Sequence, residues 1–191
     1  MALNDRTRRF ETAALPHLPA AYNLARWLLR DGQAAEDAVQ DAYLRAFRFF
    51  DDLRGDDARP WLLGIVRNAC YDAMRHARQH GDELVFDELR DSDAEGIGLA
   101  GRDADDPAAA LERRALGRRV NAAIAALPPP FREVIVLREL EDMSYEDIAR
   151  VAGIPAGTVM SRLSRARALL RDALRDEAPN PAPGARRDAT S

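Results

Sequence analysis

Arginine, aromatic and amide side chains recur at helical spacing between residues 61 and 78 of this sequence. Aromatic rings stack on unpaired bases and arginine side chains pair with phosphates, so this combination is typical of proteins that bind single-stranded nucleic acid. The alternative is an ordinary polar helix face whose aromatic side chains complete the core. The residues of this stretch that would contact nucleic acid are Trp61, Arg67, Asn68, Tyr71, Arg75 and Arg78.

The stretch from Ser144 to Arg175 has the pattern of two short helices joined by a tight turn. Ser144 can cap the first helix, and Asp147 stands three residues later, in the position of a capping-box acid. Gly153 occupies the place where a helix ends in the left-handed region, and Pro155 the place where a new helix begins. Together these signals predict a helix-turn-helix.

The second of these helices has one apolar side and one side of small, polar and basic residues. Val159, Leu163, Ala166 and Leu170 recur at helical spacing and predict the buried side. Small side chains let a helix enter a groove of about 12 Å width, and arginines reach phosphates or the guanine edge. A helical hairpin with merely solvated arginines has a similar pattern. The side predicted to contact DNA carries Gly157, Met160, Ser161, Ser164, Arg165 and Ala168, flanked by Thr158, Arg162 and Arg167.

An earlier helix, predicted from about residue 34 to residue 50, has a mixed exposed stripe. Asp37, Gln40, Asp41 and Leu44 recur at the spacing that places residues on one side of a helix. A solvated face with one exposed leucine explains such a stripe as well as a docking surface does. The residues alone leave both interpretations open.

Catalysis and metal binding have little support in the sequence. His17, His76 and His80 are not spaced as metal ligands, and no nucleophile stands beside a base in a motif. Cys70 is the only cysteine, which excludes an internal disulfide and a cysteine-based zinc cluster within the chain. We therefore expect a binding protein, not an enzyme, with no metal and no cofactor.

The elements that must position these residues are all predicted to be helices, because strand-like alternation is absent from the pattern. The expected fold class is all-α, with an N-terminal helical bundle and a C-terminal four-helix domain that contains the helix-turn-helix. Leu18, Tyr22, Ala25 and Leu28 are predicted to lie on one side of the first helix. Helices are predicted at about residues 16–30, 34–50, 59–80, 107–127 and 131–141, and the last is expected to be the central buried element.

Residues 81–106 combine many acidic residues with glycines, which predicts a flexible acidic linker between the two domains. The formal net charge of −4 therefore does not exclude nucleic-acid binding by the arginine-bearing halves. No apolar run approaches the ~20 residues of a membrane span, so we expect a cytoplasmic protein without membrane insertion. The predicted domains are residues 10–80 and 107–176, followed by a disordered tail at 177–191.

Three motifs resemble those of bacterial extracytoplasmic-function (group IV) sigma factors of RNA polymerase. The segment from Ala35 to Phe47 is similar to the polymerase-binding segment of the family's region 2. The series Trp61-Leu62, Ile65, Arg67-Asn68, Asp72 and Arg75 is similar to its promoter-melting helix. The third motif resembles region 4 and comprises Leu127-Pro128, Phe131-Arg132, Ser144-Tyr145, Ile148-Ala149, Gly157-Thr158-Val159 and Ser161-Arg162.

The resemblance implies a role for each face. Asp37, Gln40, Asp41 and Leu44 would bind the β′ clamp of core RNA polymerase, whose β subunit is a further expected contact. Promoter DNA would be bound at the melted −10 element by Trp61, Arg67, Asn68, Tyr71 and Arg75, near the loop of residues 51–57. The −35 element would be read by Met160, Ser161, Ser164 and Arg165, with Thr158 beside them and Arg162 and Arg167 near phosphates.

The resemblance further implies an anti-sigma factor as a partner, and a path for the linker through the polymerase channel. There the linker is either an RNA mimic or a plain solvated tether. Met160 and Ser164 depart from the basic and aromatic residues common in the family at these positions, so the −35 sequence does not carry over. The alternative function is a two-domain regulator that binds a palindromic operator without polymerase.

Overall fold

The computed structural model describes residues 2–55, 57–80 and 107–176 of the chain. All regular elements in these ranges are helical, which confirms the expected all-α, two-domain fold. The predicted acidic linker at residues 81–106 and the predicted tail at 177–191 lie outside the described residues. None of the helices in the described ranges combines the length and apolar character that a membrane span requires.

The N-terminal body consists of four helices and two short 3₁₀ turns. The helices are α1 (Ala2–Ala14), α2 (Leu18–Leu29), α3 (Gly32–Arg48) and α4 (Ala58–His80), and the 3₁₀ turns are Leu15–His17 and Phe50–Asp52. Between α2 and α3 the chain turns at Arg30, whose φ of 61° lies in the left-handed region. Asp31 then caps α3 by accepting a hydrogen bond from the backbone N–H of Ala34 at 2.6 Å.

Helix α1 was not among the predicted helices, because its sequence is polar and has few apolar residues at helical spacing. Its order depends on tertiary contacts. The ring of Phe10 packs edge-to-face on Phe47 and Phe50, with centroids 5.2 and 5.4 Å apart. A guanidinium N–H of Arg6 donates to the backbone oxygen of Phe47 at 2.9 Å. Long-range contacts of this kind leave no periodic signal in the local sequence.

The four residues predicted to share one side of α2 differ in burial. Ala25 and Leu28 are buried, but Leu18 is 42% and Tyr22 is 38% exposed. The buried stripe instead passes through Ala21, Leu24 and Leu29. The small side chain of Ala21 allows close packing at the centre of the interface, which leaves the larger Leu18 and Tyr22 at its rim.

The C-terminal body consists of α5 (Pro107–Ala126), α6 (Pro129–Ile135), α7 (Tyr145–Ala152) and α8 (Ala156–Asp176). The predicted helix at 131–141 begins earlier, at Pro129, and its second half is a π-helical turn, Val136–Leu140. Ile135 and Leu137 are almost fully buried, which confirms that this segment is central. One continuous apolar core includes Leu24 of α2, Ile135, and Val151 of α7, so the two bodies pack against each other.

We predict that Leu163→Ala lowers the free energy of unfolding by about 2–5 kcal/mol, because it leaves a cavity at a residue with 1% exposure. Leu169→Ala, in the same helix but 43% exposed, is the matched control and should cost less than about 1 kcal/mol. Urea unfolding followed by circular dichroism measures both. Equal losses for the two variants would contradict the core described here.

Candidate nucleic-acid interface

The helix-turn-helix is formed by α7, the turn at residues 153–155 and α8. The Ser144 hydroxyl accepts from the backbone N–H of Asp147 at 3.1 Å and donates to the Asp147 carboxylate at 2.8 Å. Burial acts to raise the pKa of Asp147, but hydrogen bonds from Arg150 and Ser144 outweigh it and hold that pKa below its usual value. Gly153 ends α7 with a φ of 65°. The predicted cap and turn are therefore confirmed.

Helix α8 has a buried and an exposed side, as its sequence predicts. Val159, Leu163 and Ala166 have 0, 1 and 0% exposure, respectively. On the opposite side, Met160 is 52% exposed. A Cβ added at Gly157 would meet no atom within 4 Å, so the helix surface is open there. Ser161, Ser164 and Arg165 are exposed with Met160 on this face, and Ala168 is half-buried. Of the flanking residues, Arg167 is exposed, and Thr158 and Arg162 are half-buried.

Arg167 is not free in this conformation. Its Nη2 donates to the carboxylate of Glu139 at 2.7 Å and its Nε donates to the same oxygen at 3.2 Å. The hydrogen bond to Glu139 raises the pKa of Arg167, which is always charged in any case. A phosphate that binds Arg167 would have to share it with Glu139 or displace that carboxylate. Arg165, by contrast, is exposed on the face that Arg167 flanks.

The five predicted −10 residues of α4 do not form one open face. Asn68 and Arg75 are exposed, whereas Trp61, Arg67 and Tyr71 are half-buried. The Trp61 ring lies 6.5 Å from that of Phe50 and packs against a small aromatic cluster. The predicted alternative, in which aromatic side chains complete the core, therefore holds for Trp61 in this conformation.

Arg67 and Tyr71 hold a carboxylate from the C-terminal body. The Nε of Arg67 donates to Oε1 of Glu133 at 2.5 Å, and the Tyr71 hydroxyl donates to Oε2 at 2.8 Å. The guanidinium of Arg67 also lies 4.3 Å from the centroid of the Tyr71 ring. Burial raises the pKa of Tyr71, and the negative charge of Glu133 raises it further. Tyr71 is therefore a neutral hydrogen-bond donor at physiological pH.

The stripe on α3 is open to solvent for most of its length. Asp37 and Gln40 are exposed, and Leu44 is 67% exposed, an unusual value for a leucine. Asp41 is half-buried and pairs with Arg45 at 2.7 Å. A leucine this exposed amid polar side chains fits a docking surface, although single exposed leucines are also common on ordinary surfaces.

Arg45 and Asp72 connect the α3 stripe to α4. The Nη1 of Arg45 donates to a carboxylate oxygen of Asp72 at 3.2 Å, and Asp72 also accepts from Arg75. Burial acts to raise the pKa of Asp72, but the hydrogen bonds from Arg45 and Arg75 outweigh it and lower that pKa. The predicted polymerase-facing and −10-facing residues thus share one charged network across two helices.

Sequence reasoning missed Arg132 and Glu133 as residues of the site. Both are buried, with 5 and 0% exposure, respectively. A signal for Glu133 was available, because it precedes Val136, Leu137 and Leu140 at the spacing of one helix side. A charged residue on an apolar stripe requires a buried partner. The sequence alone did not indicate which residue that partner is.

Cys70 is fully buried in α4 among apolar side chains. Burial raises the pKa of its thiol to about 12, and the nearby charge of Glu133 acts in the same direction. The thiolate is the reactive form of cysteine, so this thiol is chemically inert in the folded protein. Cys70 is therefore a small core residue, as its helical position in the sequence suggests.

The sequence matches the Sigma-70 region 2 family over residues 14–80 and the Sigma-70, region 4 family over residues 117–170. The RNA polymerase sigma-H factor of Pseudomonas aeruginosa is 34% identical over 170 residues, which cover 87% of this chain and 86% of that protein. The ECF RNA polymerase sigma-E factor of Haemophilus influenzae is 32% identical over 178 residues, which cover 88% of this chain and 92% of that protein.

Two solved structures have a similar fold. One is the sigma factor RpoE from Bartonella quintana, crystallised with the anti-sigma factor NepR. It has a TM-score of 0.65 and 28% identity, and the match covers 90% of this chain and 99% of that one. The other is CnrH in complex with the cytosolic domain of CnrY. Its TM-score is 0.61 and its identity 26%, over 90% of this chain and 91% of that one.

Regions 2 and 4 of the sigma-70 proteins are thus both present, one in each helical body. The chain belongs to the extracytoplasmic-function (ECF) sigma factors, which associate with RNA polymerase and act in transcription initiation. Its helix-turn-helix is the DNA-binding element of region 4. The alternative of a regulator that works without polymerase is not favoured by these findings.

We predict that Gly153→Ala lowers the free energy of unfolding by about 1 kcal/mol, because a residue with a Cβ is strained at a φ of 65°. Gly157→Ala is the matched control, because its added Cβ enters open space in a helix and should cause no loss. Chemical denaturation of both variants measures the difference. A stable Gly153→Ala variant would show that this turn adopts another backbone conformation.

Proposed function

We propose that this ECF sigma factor engages RNA polymerase through α3 and promoter DNA through α4 and α8. The exposed face of α8 carries the proposal, because small and basic side chains stand outward from a helix whose other side is fixed in the core. In this proposal, region 2 extends over residues 10–80 and region 4 over residues 107–176. Residues 81–106 connect them, and residues 177–191 form a tail.

The proposed polymerase contact is the α3 stripe of Asp37, Gln40, Asp41 and Leu44. The exposed leucine would enter an apolar depression of the β′ clamp, and the carboxylates around it would pair with basic residues of that partner. The β subunit of polymerase is a further proposed contact, as the family resemblance implies. Membership in the ECF family supports this assignment.

The proposed −35 contact is made by α8 in the major groove. Met160, Ser161, Ser164 and Arg165 would face base edges, because they are exposed and lie opposite the buried Val159 and Leu163. Thr158, Arg162 and Arg167 stand at the edges of this face, where phosphates would lie. The proposed −10 contact is made by Trp61, Arg67, Asn68, Tyr71 and Arg75 of α4 on melted DNA.

Two further assignments belong to this proposal. An anti-sigma factor is a proposed partner, since RpoE and CnrH, the structures of similar fold, were solved with NepR and with the cytosolic domain of CnrY. We also infer that the protein belongs to group IV, acts in the bacterial cytoplasm and joins the nucleoid when bound to polymerase.

We predict that Leu44→Asp weakens binding to core RNA polymerase by about tenfold or more, because it places a charge in the centre of an apolar contact. Leu111→Asp is the matched control, since Leu111 is 64% exposed, compared with 67% for Leu44, but lies on α5 outside the proposed interface. Biolayer interferometry with immobilised core polymerase measures both affinities. Equal affinities for the two variants would exclude α3 as the docking surface.

We predict that Arg165→Ala lowers transcription from a cognate promoter by about 5- to 150-fold, the equivalent of about 1–3 kcal/mol for one base contact. Arg171→Ala removes the same charge from another exposed position of α8 and should have little effect. The measurement is run-off transcription with core polymerase and promoters from the source genome, with core binding as the check on folding. No specific transcript with the unmodified protein on any promoter would refute the function itself.

A further inference from the structure

Among the described residues, three sets of hydrogen bonds join the two helical bodies around their shared apolar core, and an ion pair between Arg150 and Asp57 at 3.8 Å adds to them. The first set joins Glu133 of the second body to α4, the second joins Arg132 to α2, and the third joins Glu141 to α2 and α4. All three involve one continuous segment, which comprises α6, the π-helical turn that follows it and Glu141 at the end of that turn. This segment therefore fixes the position of region 4 on region 2.

Glu133 binds the side chains that we assign to the −10 element. Its carboxylate has no exposure to solvent, and each of its oxygens accepts a hydrogen bond, one from Arg67 and one from Tyr71. Carboxylates and phosphates bind arginine through the same kind of oxygen acceptor. Glu133 thus occupies a position at which an anionic group of DNA could bind Arg67.

Arg132 holds the neighbouring helix end. Its Nη1 donates to the backbone oxygens of Trp27 and Leu28 at 2.8 and 3.3 Å, near the C-terminus of α2. Its Nε and Nη2 donate to the backbone oxygen of Leu127 in its own body. Burial lowers the pKa of Arg132 to about 10, so it remains charged at neutral pH and complements the negative end of the α2 dipole.

Glu141 closes the other end of the interface. Its carboxylate accepts from Asn23 at 2.6 Å and from Arg59 at 2.9 Å, and its backbone oxygen accepts from Arg59 at 2.8 Å. Between these contacts, α7 covers α4 directly, because a Cβ at Gly64 would lie 3.7 Å from the backbone oxygen of Val151. Gly64 lies on the same side of α4 as Trp61 and Asn68.

In this arrangement the α4 and α8 faces lie too close together to bind both promoter elements at once. The −10 and −35 elements are about 25 base pairs apart, which is roughly 85 Å at 3.4 Å per base pair. Here, however, the α4 face contacts the body that carries α8, because Arg67 and Tyr71 bond to Glu133 of α6, and α6 packs directly against α8. One body must leave the other before both elements can be bound at once.

We propose that this arrangement is a closed state of the free protein, in which Glu133 occupies Arg67 and Tyr71 of the −10 face while the α3 stripe and the α8 face stay exposed. Polymerase can therefore dock on the closed state, but melted promoter DNA cannot reach Arg67 and Tyr71 until the bodies separate. Single-stranded DNA is the ligand that competes with Glu133 for Arg67 and Tyr71. The proposal rests on the DNA-binding roles assigned above to α4 and α8.

The test compares Glu133→Gln with the unmodified full-length protein. The probe is a fluorescein-labelled single strand that carries the −10 element of a promoter transcribed in the run-off assay, and anisotropy reports its binding. We expect about a tenfold gain in affinity, because removing the charge of a buried ion pair destabilises the closed state. Small-angle X-ray scattering should show a larger radius of gyration for the variant.

Two further variants make the result decisive. Glu146→Gln removes the same charge from an exposed position of α7, so it corrects for a general gain in DNA affinity and should resemble the unmodified protein. Glu141→Gln weakens the other end of the interface and should change both the DNA affinity and the radius of gyration in the same direction as Glu133→Gln. The Glu141 variant therefore still tests the closed state if Glu133→Gln folds poorly.

The outcomes separate this proposal from the proposed function. If Glu133→Gln and Glu141→Gln bind the strand as Glu146→Gln does, or bind it more tightly without expanding, the closed state is refuted even though run-off transcription succeeds. If neither the unmodified protein nor a variant directs transcription, the proposed function fails instead.

Discussion

Glu133 is a charged residue without solvent contact, and its two carboxylate oxygens are bonded to the side chains of Arg67 and Tyr71. A buried carboxylate that lacks such partners is strongly destabilising, because its lost hydration is not replaced. Because Glu133 needs these partners, α6 must pack against α4, although residues 81–106 and α5 lie between the two helices in the sequence. The packing of Val151 on α4 and of Arg132 on the end of α2 depends on that same placement.

This constraint also explains why the DNA-facing elements differ in exposure. Arg165 and Arg167 are exposed on α8, a helix that packs mainly on α5, α6 and α7 of its own body. Arg67 and Tyr71 lie on a side of α4 that region 2 leaves uncovered, and a face of aromatic and cationic residues there can pack on protein as well as on DNA. The same chemistry that suits melted DNA therefore makes α4 a partner for the other body.

Local signals in the sequence were sufficient for most of the helices and for the face of α8. Ser144, Gly153 and the spacing of Val159 and Leu163 act within a few residues of each other, so their structural meaning could be predicted from the sequence alone. The covered state of α4 could not, because it depends on a contact between residues 66 positions apart. Only the charge of Glu133 on an apolar stripe hinted at it. Helix α1 escaped prediction for the same reason, since Phe10 and Arg6 order it through contacts with α3 and the turn that follows it.

A closed state lowers the affinity for the −10 element but not the affinity for the −35 element. If only a fraction of the molecules is open, the apparent affinity for the −10 strand is lowered by that fraction, whereas binding through the exposed face of α8 is not. Docking of the α3 stripe on polymerase does not by itself require opening, because that stripe is exposed in the closed form. The binding sites for the two bodies on polymerase and promoter are far apart, however, so both sites can be occupied only when the two bodies are separated. The free energy of opening would then come from the second contact, so specificity would depend on both elements being present together.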